Sequence, residues 1–238
     1  MIRNLKRPNR KKMTTNDPPA LLKESVERNK QYRINTNIPV VIKDGFTSDE
    51  VDLDEFVHSI NARIPEHLLQ DVEIVYIGEF PELAGRNAVF LDGAVYISNE
   101  EPTTYDMLED AIHEIAHSIE ASASSAVYED GLLEKEFLGK REKLKSILDA
   151  HGYEFPERLY YNTEYHSAFD EFLHSDVGYP TLLSLTIGLF ASPYGATSLR
   201  EYFANGFEKY YLGDTKLVKD VSPVLYNKLN TLHTESDR

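Results

Sequence analysis

The stretch from Met107 to Glu120, Met-Leu-Glu-Asp-Ala-Ile-His-Glu-Ile-Ala-His-Ser-Ile-Glu, constrains this chain more than any other. Met107, Leu108, Ala111, Ile112, Ile115, Ala116 and Ile119 recur at helical spacing and predict one apolar face. Asp106, Asp110, His113, His117 and Glu120 run along another face. Thr103 followed by Asp106, just after Pro102, resembles a capping box and predicts the helix start. His113 and His117 are four apart, so both imidazoles leave the same side of the helix. Two imidazole nitrogens so placed can hold one zinc ion, with Glu114 beside it to take a proton from a water. A surface helix can carry the same His-Glu-x-x-His spacing with no metal, so the motif alone is balanced between the two readings.

With no cysteine among 238 residues, the chain has neither a disulfide framework nor a thiolate ligand or nucleophile. Any metal must be held by His, Asp or Glu. A hydrophobic content of 41% suffices for a core. Charge is uneven: residues 1–12 hold six of the 25 basic side chains and none of the 40 acidic ones, so the other 226 carry a net of −21. Such an acidic body argues against nucleic acid as the main partner. The basic segment reads as a solvated tail that can fold back on the acidic body, with contact to nucleic acid or an acidic partner as the alternative. No apolar run reaches the length of a membrane span, and no apolar region follows the basic residues as in a secretory signal. The chain as given reads as cytoplasmic, which is compatible with later export or virion packaging.

Residues 1–20 form the expected disordered basic tail, 21–70 an N-terminal α/β part, and 71–238 the main domain, continuous with 21–70. A short helix is expected over Leu21 to Tyr32, a strand over Ile38 to Ile42 starting near Pro39, a helix from Ser48 to Arg63 and a strand over Val72 to Ile77. Asp92-Gly93, between apolar runs over Ala88 to Ser98, predicts a hairpin leading into the histidine helix, with an edge able to bind an extended peptide. Ser122 to Ser125 reads as a break. Tyr128 to Ala150 reads as a helix, and Leu182 to Phe190 as a buried one. His58, His67, His151, His166, His174 and His233 lack paired metal spacing. His166 and His174, near Asp170 and Glu171, form a weaker second cluster.

In the segment Ser192 to Tyr211 a helix is expected to start near Ser198, with Tyr202, Phe203, Phe207, Tyr210 and Tyr211 as core packing. Glu201 is the candidate third ligand, supplied by a second helix. Asn205, one turn on, is placed to orient a ligand. Ser198-x-x-Glu201 is also a capping-box pattern, in which Glu201 would only close the helix start. Tyr194 reads either as a donor to an oxyanion or as one more buried tyrosine. Glu120 is a rival ligand, on the same helix as the histidines.

These two segments resemble the anthrax lethal factor-like zinc metallopeptidases, related to the Pro-Pro endopeptidases. That family pairs a His-Glu-x-x-His helix with a later Tyr-Gly…Glu-Phe-Phe-Ala-Glu-x-Phe segment. This chain has Tyr194-Gly195 and then Glu201-Tyr202-Phe203-Ala204-Asn205-Gly206-Phe207. The resemblance spans about residues 70–235, but only the two motif segments are specific. It implies that His113, His117 and Glu201 bind one Zn2+ per chain, that Glu114 is the general base, and that Tyr194 stabilises the oxyanion. It also implies an α+β, zincin-like domain, with a small mixed sheet beside the His-Glu-x-x-His helix and a C-terminal helical region closing near Pro223 to Leu232. Asn205 departs from the family's glutamate, and the 76 residues between His117 and Tyr194 exceed the small relatives' spacing.

The expected activity is that of a zinc-dependent metalloendopeptidase acting on a protein or peptide. The alternative is a catalytically inactive binding or assembly protein on the same fold. Cleavage sequence, target and oligomeric state are not legible.

Overall fold

The computed structural model describes residues 32–234. The basic segment and most of the helix expected over Leu21 to Tyr32 lie outside them; Tyr32 itself opens a strand. The strands are β1 (Tyr32–Ile34), β2 (Ile38–Ile42), β3 (Ile74–Ile77), β4 (Ala88–Leu91) and β5 (Ala94–Ile97). They form one sheet in the order β1-β2-β3-β5-β4. The two outer pairs are antiparallel and the two inner pairs parallel, so the sheet is mixed. Pro39 sits one residue before pairing with β3 begins, where a missing N–H costs no bond to that strand. β4 ends the sheet. Asp92 and Gly93 take positive φ of 49° and 81° and close its hairpin with β5, as the dipeptide predicts.

The helices follow as α1 (Leu53–Arg63), α2 (Thr104–Tyr128), α3 (Leu132–Ala150), α4 (Glu157–Tyr160), α5 (Ser167–Glu171), α6 (Tyr179–Leu185), α7 (Leu199–Leu212), α8 (Thr215–Val221) and α9 (Pro223–Thr234). The fold is therefore α+β, with the sheet followed by a helical C-terminal half. Helix α2 occupies the centre and packs on α1, β4, β5 and α7. All seven apolar positions of its expected face are buried. Each large side chain so removed from water contributes about 1.5–3 kcal/mol. Helix α7 packs in turn on α9.

Three expected boundaries need correction. Helix α1 begins after Asp52 rather than Ser48: Asp52 accepts from the N–H groups of Asp54 and Glu55, while Ser48 donates to Pro102 O at 2.6 Å. The break expected over Ser122 to Ser125 is present as a kink: Ala123 (φ −103°, ψ 17°) leaves helical geometry and divides α2 into two helical stretches, the second running to Tyr128, so the helix expected from Tyr128 starts only at Leu132. The stop comes at Gly131, left-handed at φ 66°, from which α3 starts. Leu182 to Phe190 is not a buried helix: α6 ends at Leu185, and Leu183 and Ile187 are exposed. Before α6 the chain makes a π-helical turn over Phe172–Gly178, a wider winding often found beside functional sites.

Candidate metal centre

Thr103 caps α2 by accepting from Asp106 N–H at 3.2 Å, which fixes where the helix starts and hence which way residue 113 faces. The rings of His113 and His117 meet edge to face at 5.0 Å between centroids. Helix α7 packs against α2 here. Its cap is Ser198, which accepts from Glu201 N–H at 3.2 Å. The Glu201 carboxylate turns the other way: Oε2 accepts from His113 Nε2 at 2.9 Å, and Oε1 lies 3.7 Å from His117 Nε2. Of the two roles open to Ser198-x-x-Glu201, the serine caps and the glutamate faces the imidazoles.

The other ring nitrogens are engaged as well. His117 Nδ1 pairs with Glu120 Oε2 at 2.8 Å, and His113 Nδ1 lies 3.4 Å from Glu208 Oε2. Glu120 is held by Arg200 Nε at 3.1 Å and by the hydroxyl of Tyr128. Glu208 is paired with Lys209 at 2.7 Å, and Lys209 with Glu109 at 3.1 Å. Glu120 is thus placed behind the ring and not among the Nε2 atoms. Glu208 was missed in reading the sequence. Its signal was there: seven positions after Glu201, two helical turns, on the same face of α7.

The electrostatics follow from this arrangement. Burial works against a charged His113, but hydrogen bonds to Glu201 and Glu208 outweigh it and lift the ring to about 10. His117 is raised in the same way, burial opposing and Glu120 and Glu201 prevailing. Burial alone would raise Glu201; the hydrogen bonds from both histidines hold it down at about 2. Two rings each facing an oxygen of the same carboxylate therefore favour positive charge there, which a bound cation would supply in place of the protons. Two imidazoles and one carboxylate, with the far ring nitrogens already bonded to carboxylates, are a donor set that suits zinc.

Glu114 sits outside the Nε2–Glu201 contacts. Its Oε2 accepts from the backbone N–H of Phe90 in β4 at 2.7 Å. His113, Glu114 and His117 offer ligand atoms within 4.8 Å of one another, the one such His, Asp or Glu group among the described residues; Glu201, the third ligand expected from the sequence, touches both Nε2 atoms but is not part of that group. His166 and His174 do not assemble a second one: His174 Nδ1 meets Ser175 Oγ at 3.2 Å and its ring packs edge-on against Tyr179. Tyr194 opens a short turn, Tyr194–Ala196, with its ring 6.2 Å from that of His113. Burial first, then the charge of Glu201, pushes its phenol above the ordinary range, so it stays a donor. Asn205 is buried and accepts from Ser192 Oγ beside Gly195. It therefore fastens the loop carrying Tyr194.

His113, Glu114, His117, Tyr194 and Glu201 line a cleft of about 960 Å³ to which residues of β4 and of the 165–179 segment also contribute. In that segment Asp170 accepts from the hydroxyls of Tyr165 at 2.7 Å and Tyr179 at 3.3 Å. Comparison with known proteins found no matching family model, no matching curated protein and no matching solved structure. Among the described residues no helix is long and apolar enough to cross a membrane.

Proposed function

We propose that this chain is a zinc-dependent metalloendopeptidase with a zincin-like domain of the lethal factor-like type, acting on a protein or peptide laid in the cleft. One observation carries the reading. The Nε2 atoms of His113 and His117 converge on Glu201 while both Nδ1 atoms are bonded to carboxylates. That leaves the Nε2 side of each ring for a metal and fixes its tautomer. His113, His117 and Glu201 would hold one zinc ion, which when bound supplies Lewis-acid polarisation and a more acidic water.

The chain's own groups then divide the work. Glu114 takes a proton from the attacking water as its oxygen bonds to the peptide carbonyl carbon. Tyr194 donates a hydrogen bond to the carbonyl oxygen as negative charge gathers there. Glu114 returns the proton to the amide nitrogen as the C–N bond breaks, and a carboxylate and an amine leave. Asn205 and Ser192 keep the Tyr194 turn against α7 throughout.

Zinc content of the purified chain, beside His113→Ala, Glu201→Ala and Glu114→Gln, tests this. One zinc per chain is expected, weakened in the first two and kept in the third, with peptide hydrolysis lost in all three. Hydrolysis retained by Glu114→Gln would refute the general-base assignment. A parent chain that takes up no zinc would favour a binding protein on this fold.

A further inference from the structure

We infer that the backbone N–H of Phe90 is a positioning group that tethers the Glu114 carboxylate beside the histidine pair, an inference that rests on the catalytic reading of Glu114. The register of the hairpin makes that N–H available. Leu91 faces Ala94 across the two-residue turn, Phe90 faces Val95, and Val89 faces Tyr96. In an antiparallel ladder, alternate residues of a strand bond to the partner and the others turn away. The pair flanking a two-residue turn is a bonded one, so Leu91 and Val89 bond to β5 and Phe90 points its N–H off the free edge. An outward N–H on an edge strand ordinarily meets water. This one meets Glu114 Oε2 at 2.7 Å, across 24 residues of sequence, because α2 packs against β4.

The consequence is specific to this carboxylate. Glu114 lies next to His113, and its ligand atom is within 4.8 Å of both imidazoles. A free carboxylate at that distance can swing in as a further ligand and take the place a water needs. With one oxygen bonded to a strand, the carboxylate is held beside the histidines and does not swing. A charge-assisted bond to a rigid backbone is suited to that task, and it asks nothing of the side chain at position 90.

Backbone amide exchange by NMR on the zinc-loaded full chain tests the tether directly. The Phe90 amide should be protected despite facing off the sheet, and Glu114→Ala should speed its exchange by roughly tenfold or more while leaving Val95 and Ile97 unchanged. Exchange at Phe90 indifferent to Glu114→Ala overturns the tether. A second arm reads its catalytic use. Phe90→Pro deletes this donor and no ladder bond, and Phe90→Ala deletes the ring and keeps the donor. Phe90→Pro should lower kcat by roughly tenfold more than Phe90→Ala, with KM and zinc content matched between the two. Equal kcat in the two variants overturns the positioning role. A protected, Glu114-dependent Phe90 amide in a chain that hydrolyses no peptide would strike the catalytic reading and leave the tether. Hydrolysis with an indifferent amide would do the reverse.

Discussion

The carboxylates behind the two histidines should contribute unequally to metal affinity, and the structure ranks them. Glu120 Oε2 lies 2.8 Å from His117 Nδ1, its side chain is 7% exposed, and Arg200 and Tyr128 hold it in place. Glu208 Oε2 lies 3.4 Å from His113 Nδ1, near the limit of a hydrogen bond, and shares its charge with Lys209. Removing such an outer partner typically weakens metal binding by about 10–100-fold. A short bond from a firmly held carboxylate belongs near the top of that range, and a long, shared one near or below the bottom. Glutamine keeps the size and one carbonyl acceptor, and replaces the charge and the second acceptor oxygen by an NH2 donor. Glu120→Gln is therefore expected to weaken zinc binding by roughly 30–100-fold, about 2–3 kcal/mol, and Glu208→Gln by roughly tenfold or less. Competition with a chromophoric chelator at fixed pH measures both, with denaturation midpoints recorded beside them to show that each variant is folded. Equal losses, or a larger one for Glu208→Gln, would refute the ranking by distance. No loss in either would refute the view that these carboxylates orient the rings.

Three further outcomes are expected. Gly206→Ala should destabilise the fold by about 1–3 kcal/mol in urea unfolding despite alanine's better helix propensity, because a Cβ there runs into the fully buried Leu225 of α9; unchanged stability would mean that α7 and α9 are not in close contact. Arg141→Met should cost about 3 kcal/mol or more by the same measurement, since the buried guanidinium donates to the carbonyls of Ala196, Thr197 and Leu159, and methionine leaves them without a donor; a neutral effect would show that those carbonyls find other partners. Glu101 is 1% exposed, and burial first, then Asp110, raises its pKa above the ordinary 4.5. Below 4.5 both folded and unfolded chains carry the proton; above it the unfolded chain ionises first, so this group's contribution falls as pH rises towards the raised folded value. Zinc-loaded wild type should therefore lose more stability than Glu101→Gln between a buffer near 4.5 and one near neutrality, and parallel curves for the two would refute the shift.

What the sequence made legible was local. The face of α2, its Thr103 cap, the Asp92-Gly93 turn and the Ser198 cap each depend on residues within a few positions of one another, and each stands where the spacing puts it. The misplaced boundaries were choices between equally plausible local signals. Ser48 and Asp52 are both good caps, and what takes Ser48 away is the carbonyl of Pro102, 54 residues on. The small polar run at Ser122 to Ser125 is legible as a break, and the chain does kink there at Ala123; what no local signal shows is that a second helical stretch carries on from it to Tyr128, or that Ser122 donates to Asp71, 51 residues away.

The site divides along the same line. His113, Glu114 and His117 are legible because one helix supplies them all. Glu201 was ambiguous from spacing, since a cap and a ligand use the same residue three positions after Ser198; only the crossing of α2 and α7 gives its carboxylate a direction. Least legible are the supports that use main-chain atoms, because any residue type carries an N–H or a carbonyl. Phe90 holds Glu114 through its amide. Arg141 and Lys140 are neighbouring buried cations on α3, and the groups that accept their hydrogen bonds are carbonyls: those of Leu159, Ala196 and Thr197 for Arg141, those of Leu189 and Val221 for Lys140. Between them they fasten the stretch that leads into Tyr194 and the residues just before Ser198. The geometry at Tyr194 and Glu201 thus depends on two charges that helical spacing would assign to a solvated face, and the physical sign of their role is burial with no carboxylate in salt-bridge contact among the described residues.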